Sequence, residues 1–149
     1  MYLDSAILVK LVVREPDSDF YASVVDGQRN VFSSELAVVE CRSALARKRQ
    51  HGELGVRQYD GAWQRLQDFW ADGGGLQLRP IALSVLQEAG DIIERCAGRV
   101  PLRTLDAIHL ATCLRIRAAP LVTNDTVMRA AAGVLGVPLG PLPDHGIGQ

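Results

Sequence analysis

The sequence predicts a three-layer α/β/α domain with a central, mainly parallel sheet of four to five strands. Three observations carry this. Short strand-like apolar runs, at residues 1–3, 30–33, 76–81 and 120–123, alternate with longer stretches whose apolar residues follow helical spacing. Such alternation implies right-handed crossovers, which lay helices over both faces of a parallel sheet. The chain's 149 residues, 48% of them hydrophobic, suit one domain with a sizeable core.

Residues 1–3 form the first strand, and residues 5–13 place Ala6, Leu8, Val9, Val12 and Val13 on one broad helical face. Glu15-Pro16-Asp17-Ser18 breaks that helix and caps the next, in which Phe20, Tyr21, Val24 and Val25 keep the period. After the strand at 30–33, Ser33 or Ser34 caps a helix that runs to about His51 and stops at Gly52. A further helix, 55–71, ends at Gly73-Gly74-Gly75, a loop and not a phosphate cradle, because no GK[ST] or GxGxxG pattern follows. The third strand, 76–81, carries Pro80 near its end; an amphipathic helix spans 84–97 and breaks at 98–101. Thr104 caps a helix through Ile116 with Asp106 in its first turn. A fourth strand at 120–123, a short helix at 126–132 and an edge strand at 137–139 complete the domain. The tail, 141–149, is rich in Pro and Gly and is expected to be flexible.

A net charge of −1 supplies no global basic field, so any nucleic-acid contact must come from a local patch. Of sixteen positive side chains only Lys10 and Lys48 are lysines, a bias that a GC-rich genome explains without function. Cys41, Cys96 and Cys113 show neither CxxC nor Cys/His metal spacing and read as buried free thiols. Asp4 and Lys10 interrupt any leader-like apolar segment, and no run approaches the ~20 apolar residues of a membrane span. A cytoplasmic, membrane-free protein is expected.

Four carboxylates stand where they are costly. Asp4 and Asp125 directly follow strand-like runs, so both face the C-terminal rim of the sheet, where ligands bind in such folds. Each could equally cap the helix after it. Glu40 has Leu36, Ala37 and Ala44 as its helical neighbours and no cation at i±4. Asp106 sits in a first turn, where the helix dipole favours it, on a helix otherwise largely apolar. Carboxylates against apolar surroundings cost several kcal/mol unless compensated, and a hard divalent cation is the natural compensation. His109, one turn after Asp106, reads as a packing or hydrogen-bonding residue.

The segments Met1-Tyr2-Leu3-Asp4-Ser5-Ala6, Ser33-Ser34-Glu35-Leu36-Ala37-Val38-Val39-Glu40, Leu105-Asp106-Ala107-Ile108-His109-Leu110-Ala111 and Val122-Thr123-Asn124-Asp125 resemble the acidic motifs of PIN-domain ribonucleases. In order and context they are most similar to VapC toxins of prokaryotic toxin–antitoxin pairs. The resemblance implies a PIN domain over residues 1–140 and a Mg²⁺- or Mn²⁺-dependent endoribonuclease. Asp4 and Asp106 would be its principal metal ligands. Asp125 would complete the cluster or bind a second ion, and Glu40 would hold metal-bound water and help deprotonate it. Ser5, Thr123 and Asn124 would orient these ligands from behind. Arg14, Arg42, Arg47, Lys48 and Arg103 are the cations nearest the motifs and the candidates for RNA contact. The implied partners are RNA, a VapB-like antitoxin whose arginine enters the acidic pocket, and a second copy of the chain in a two-fold dimer. Leu8, Val9, Leu11 and Val12, with Leu36 and Val39, are expected to form one groove for an antitoxin helix. The competing expectation is a catalytically silent PIN-like interaction module, which would bind no metal. A phosphotransfer receiver is excluded for want of a lysine after a late strand, and a haloacid-dehalogenase-type phosphatase by Ala6, where a second Asp is required.

Overall fold

β1 (Tyr2–Leu3) is two residues long, and its side chains leave it in opposite directions, as strand geometry requires. In the computed structural model, which describes residues 1–144, Tyr2 enters one hydrophobic core and Leu3 the other. β4 (Leu121–Val122) repeats the division, Leu121 joining Tyr2 and Val122 joining Leu3. α1 (Ser5–Val12), α2 (Ser18–Val25), α3 (Leu36–Gln50) and α4 (Val56–Trp70) close the core around Leu3. α5 (Leu83–Cys96), α6 (Thr104–Arg115) and α7 (Thr126–Leu135) close the core around Tyr2. The result is the three-layer arrangement expected.

With β2 (Val31–Ser34) and β3 (Leu76–Arg79) the sheet has the order β3-β2-β1-β4, every neighbouring pair parallel. The chain moves outward from β1 to β2 to β3, then returns to the opposite side of β1 as β4. The connections therefore leave β1 in opposite directions, and the crevice beyond the C-terminal ends of β1 and β4 is the topological switch point. Asp4 follows β1 and Thr123-Asn124-Asp125 follows β4, so the fold delivers both segments to that crevice.

Several boundaries differ from expectation. Pro80 and Ile81 lie outside β3, since proline has no N–H for the ladder. Residues 137–139 contribute a single bridge, Leu121 to Leu139, not a fifth strand. Pro138 cannot donate there, and Gly140 passes so close to Val122 that a Cβ would lie 2.9 Å from its side chain. Thr104 is the first residue of α6, not its cap; Arg103 holds that place with no capping side-chain bond. Ser34 Oγ accepts the Leu36 N–H (3.2 Å), whereas Ser33 Oγ donates to the Leu3 carbonyl. Asp17 precedes α2 without a capping bond, because its carboxylate and that of Glu15 turn to Lys10.

All three cysteines are free and buried, and burial pushes the Cys41 and Cys113 thiols up to about 12. Among the described residues no helix is long and apolar enough to cross a membrane. Residues 141–144 form neither helix nor strand; the rest of the expected tail, 145–149, lies outside the described residues.

Candidate active site

Asp4, Glu40, Asp106 and Asp125 all line one open cleft of about 430 Å³ at the switch point, together with Ser5, His109 and Asn124. The cap and site readings of the two aspartates prove compatible. Asp4 precedes α1 and is 3% exposed; its Oδ1 accepts the Ile7 N–H at 2.9 Å and its Oδ2 accepts the Thr123 hydroxyl. Asp125 caps α7 with Oδ1, which accepts from Val127 and Met128, and leaves Oδ2 toward the cleft. Thr123 ties the two together, since its Oγ1 also accepts the Asp125 N–H at 3.0 Å. Arg129 clamps this turn from below by donating to the carbonyls of Thr123 and Gly140.

Glu40 and His109 meet from different layers. His109 is 2% exposed; its Nε2 lies 2.7 Å from Glu40 Oε2 and its Nδ1 lies 2.8 Å from the Tyr2 hydroxyl. An ionised carboxylate only accepts, so Nε2 carries the hydrogen. Burial holds the Tyr2 phenol well above its usual range, so it stays protonated and donates to Nδ1. Ser5 Oγ adds a second donor to Glu40 Oε2 at 2.5 Å. Burial alone would raise the Glu40 carboxyl, but the bonds from His109 and Ser5 outweigh it and hold the group below its ordinary value.

The remaining acids are tied by a cation. Arg103 Nε lies 3.0 Å from Asp106 Oδ2 and its Nη2 lies 2.9 Å from Asp125 Oδ2. Among the described residues no three His, Cys, Asp or Glu side chains converge on a single point. The four acids share a cleft without forming a closed cage.

The lining of the cleft also includes Lys10, Glu15, Arg47 and Lys48. Lys10, although buried, pairs with Glu15 (2.8 Å) and Asp17 (3.7 Å), while Lys48 pairs with Glu15 (2.9 Å) and Glu53 (3.0 Å). Arg47 reaches only Ser43 and has no acidic partner among the described residues. Arg14 instead pairs with Asp19 at the surface, and Arg42 stacks over Trp63 and Tyr59. Neither lines the cleft.

The PIN domain family model matches residues 1–134, a span that contains every one of these cleft residues. The chain belongs to the PIN-domain family. It is similar over nearly its whole length to curated relatives from Mycobacterium tuberculosis. Ribonuclease VapC45 (strain CDC 1551 / Oshkosh) and Ribonuclease VapC49 (strain ATCC 25618 / H37Rv) are each 32% identical over 145 residues, 95% of this chain and 94% of theirs. Ribonuclease VapC46 (strain ATCC 25618 / H37Rv) is 34% identical over 142 residues, 92% of this chain and 93% of its own.

The chemistry of this PIN-domain cleft suits a hard divalent ion. Burial raises the Asp4 carboxyl, and the neighbouring Asp125 adds to the rise against the opposing bonds from Thr123 and Ile7. No cation pairs with Asp4 among the described residues, so this buried carboxyl group has no ion-pair partner there. Every donor on offer is oxygen. Mg²⁺ keeps several waters and needs only one or two carboxylates directly, so an open set of acids fits where a closed cage is not required.

Sequence reasoning missed three contributors to the site. Lys10 could have been found as a lone lysine on an apolar helical face, followed five residues later by Glu15. Tyr2 and Arg129 left no sequence signal, because their roles arise from contacts across 107 residues in one case and with backbone carbonyls in the other. Among the described residues the apolar side chains expected to form one antitoxin groove are divided, although Leu36 and Val39 do line one hollow together. Leu8 and Val9 are buried, Leu11 and Val12 line a hollow with Phe69, and Val39 lines a separate one with Leu105.

Proposed function

We propose that this PIN-domain protein is a divalent-metal-dependent endoribonuclease of the VapC type, the toxin half of a toxin–antitoxin pair. The observation that carries the reading is the buried Asp4 carboxylate, without a cationic partner among the described residues, lining one cleft with Asp106 and Asp125. In a silent interaction module that charge would be a cost with no return. Asp4, Asp106 and Asp125 would hold Mg²⁺ or Mn²⁺ through oxygen. The ion would lower the pKa of the attacking water and neutralise charge building on the phosphoryl group.

The chain's own residues do the rest. Glu40, kept ionised by His109 and Ser5, offers Oε1 to orient that water and draw its proton. Thr123 fixes Asp4 against Asp125 and so holds the two carboxylates at a set separation. Arg47, with no acidic partner among the described residues, is the wall cation available to an RNA phosphate, whereas Lys10 and Lys48 are paired with Glu15, Asp17 and Glu53. The same reading includes a cytoplasmic setting, a cognate VapB-like antitoxin and a two-fold dimer. Val39 and Leu105, both exposed beside the cleft, supply apolar surface for such partners.

Incubating the purified chain with a mixture of structured RNAs tests the activity. Discrete fragments are expected with Mg²⁺ or Mn²⁺, none in excess EDTA, and recovery once the ion is restored. Cleavage that persists undiminished in EDTA would contradict the reading.

A further inference from the structure

Arg103 holds one oxygen of each of two acids that would receive a metal ion. Asp125 Oδ1 is committed to the first turn of α7, so Oδ2 is the oxygen it can offer to the cleft, and Arg103 Nη2 lies 2.9 Å from it. The same guanidinium donates through Nε to Asp106 Oδ2 at 3.0 Å. One planar cation thus joins two carboxylates from different elements, the first turn of α6 and the cap of α7. Its single charge faces two negative charges, a mismatch that a divalent ion would remove. Its side chain is 70% exposed, so it can leave for solvent without opening the core.

We propose that Arg103 is a resident counter-ion, displaced from Asp106 and Asp125 when a divalent cation binds and then free to hold an RNA phosphate at the rim of the cleft. The inference rests on the metal-dependent reading above and adds a mode of control to it. Metal-free, the two acids are kept together by the chain's own cation, which limits their repulsion. On exchange, the released guanidinium stands beside the cleft with five donors suited to a phosphate. Metal and RNA should therefore bind with positive coupling, each favouring the Arg103 position that suits the other.

Mn²⁺ titration followed by the electron paramagnetic resonance of the free ion tests this without any turnover. Arg103→Gln is expected to bind Mn²⁺ at least about five-fold more tightly than the unmodified chain, since the competing cation is gone. Arg103→Lys, a point charge that cannot span both carboxylates, should fall between the two. An RNA with a methylene-phosphonate backbone, whose P–C bonds water cannot cleave, should raise the Mn²⁺ affinity of the unmodified chain and leave that of Arg103→Gln unchanged. Equal or weaker Mn²⁺ binding by both variants, with the unmodified chain still binding, would overturn the counter-ion role and spare the nuclease reading. No Mn²⁺ uptake by any of the three proteins would overturn both.

Discussion

Asp4→Asn is expected to lower RNA cleavage by at least about 10²–10³-fold, the scale of losing one preorganised hydrogen-bond donor from an active site, while the protein stays folded. Asp4 is the carboxylate most deeply withdrawn from water, and Asn keeps its size and its acceptor for the Ile7 N–H. The same exchange should raise the melting temperature of the metal-free protein at neutral pH. The folded state holds the Asp4 carboxyl above its ordinary value, so the group favours folding where it is protonated and loses that contribution as pH rises through the raised value. At pH 7 its charge is therefore a net cost, which Asn removes. The stability gap between variant and parent should close as pH falls toward the ordinary aspartate range. Asp106→Asn should match the loss of cleavage. Full activity in both variants would remove the acids from the chemistry.

His109→Ala should cost about 3 kcal/mol of stability, the largest loss expected from one substitution in the cleft. His109 is buried and joins Tyr2, behind it, to Glu40, in front. Removing the ring leaves the Tyr2 hydroxyl without this acceptor in a closed core, strips Glu40 of one of its two donors and opens a cavity. Cleavage should fall as well, because Glu40 would no longer be fixed. Partial recovery of cleavage is expected in His109→Gln, whose amide can still donate toward Glu40. Urea unfolding with parallel RNA cleavage reads both effects. A stability loss under about 1 kcal/mol would show that the chain from Tyr2 to Glu40 carries little.

The fold was legible because strand and helix alternate and because each turn is marked by Gly, Pro or a small polar residue. Its edges were blurred. Two of the four strands are only two residues long, too short for any periodicity, and the 137–139 segment is held by one bridge beside a proline. Cap positions moved by one residue at α3 and α6, where Glu35 and Arg103 hold the place without a capping side-chain bond, and Asp17 keeps its place before α2 but turns its carboxylate to Lys10. The positions of Asp4 and Asp125 could be read from the strands before them, since a parallel sheet delivers the end of every strand to the same rim. Asp106 was placed by its turn of α6. Glu40 was placed on an apolar face, but the reason it can stay there, a buried histidine on another layer, lies 69 residues away and has no local signature. Arg103 was legible as a cation near a motif and not as a bridge, because its second partner lies 22 residues on, beyond β4.

If Asp4, Asp106 and Asp125 together receive a divalent cation, paramagnetic broadening locates that ion directly. With ¹⁵N-labelled protein and substoichiometric Mn²⁺, the amide signals of residues 4–7, 104–107 and 123–127 should broaden first and together, and Asp4→Asn should abolish the effect. Broadening centred on Glu15 and Glu53, or no selective broadening, would contradict a metal site at these three acids.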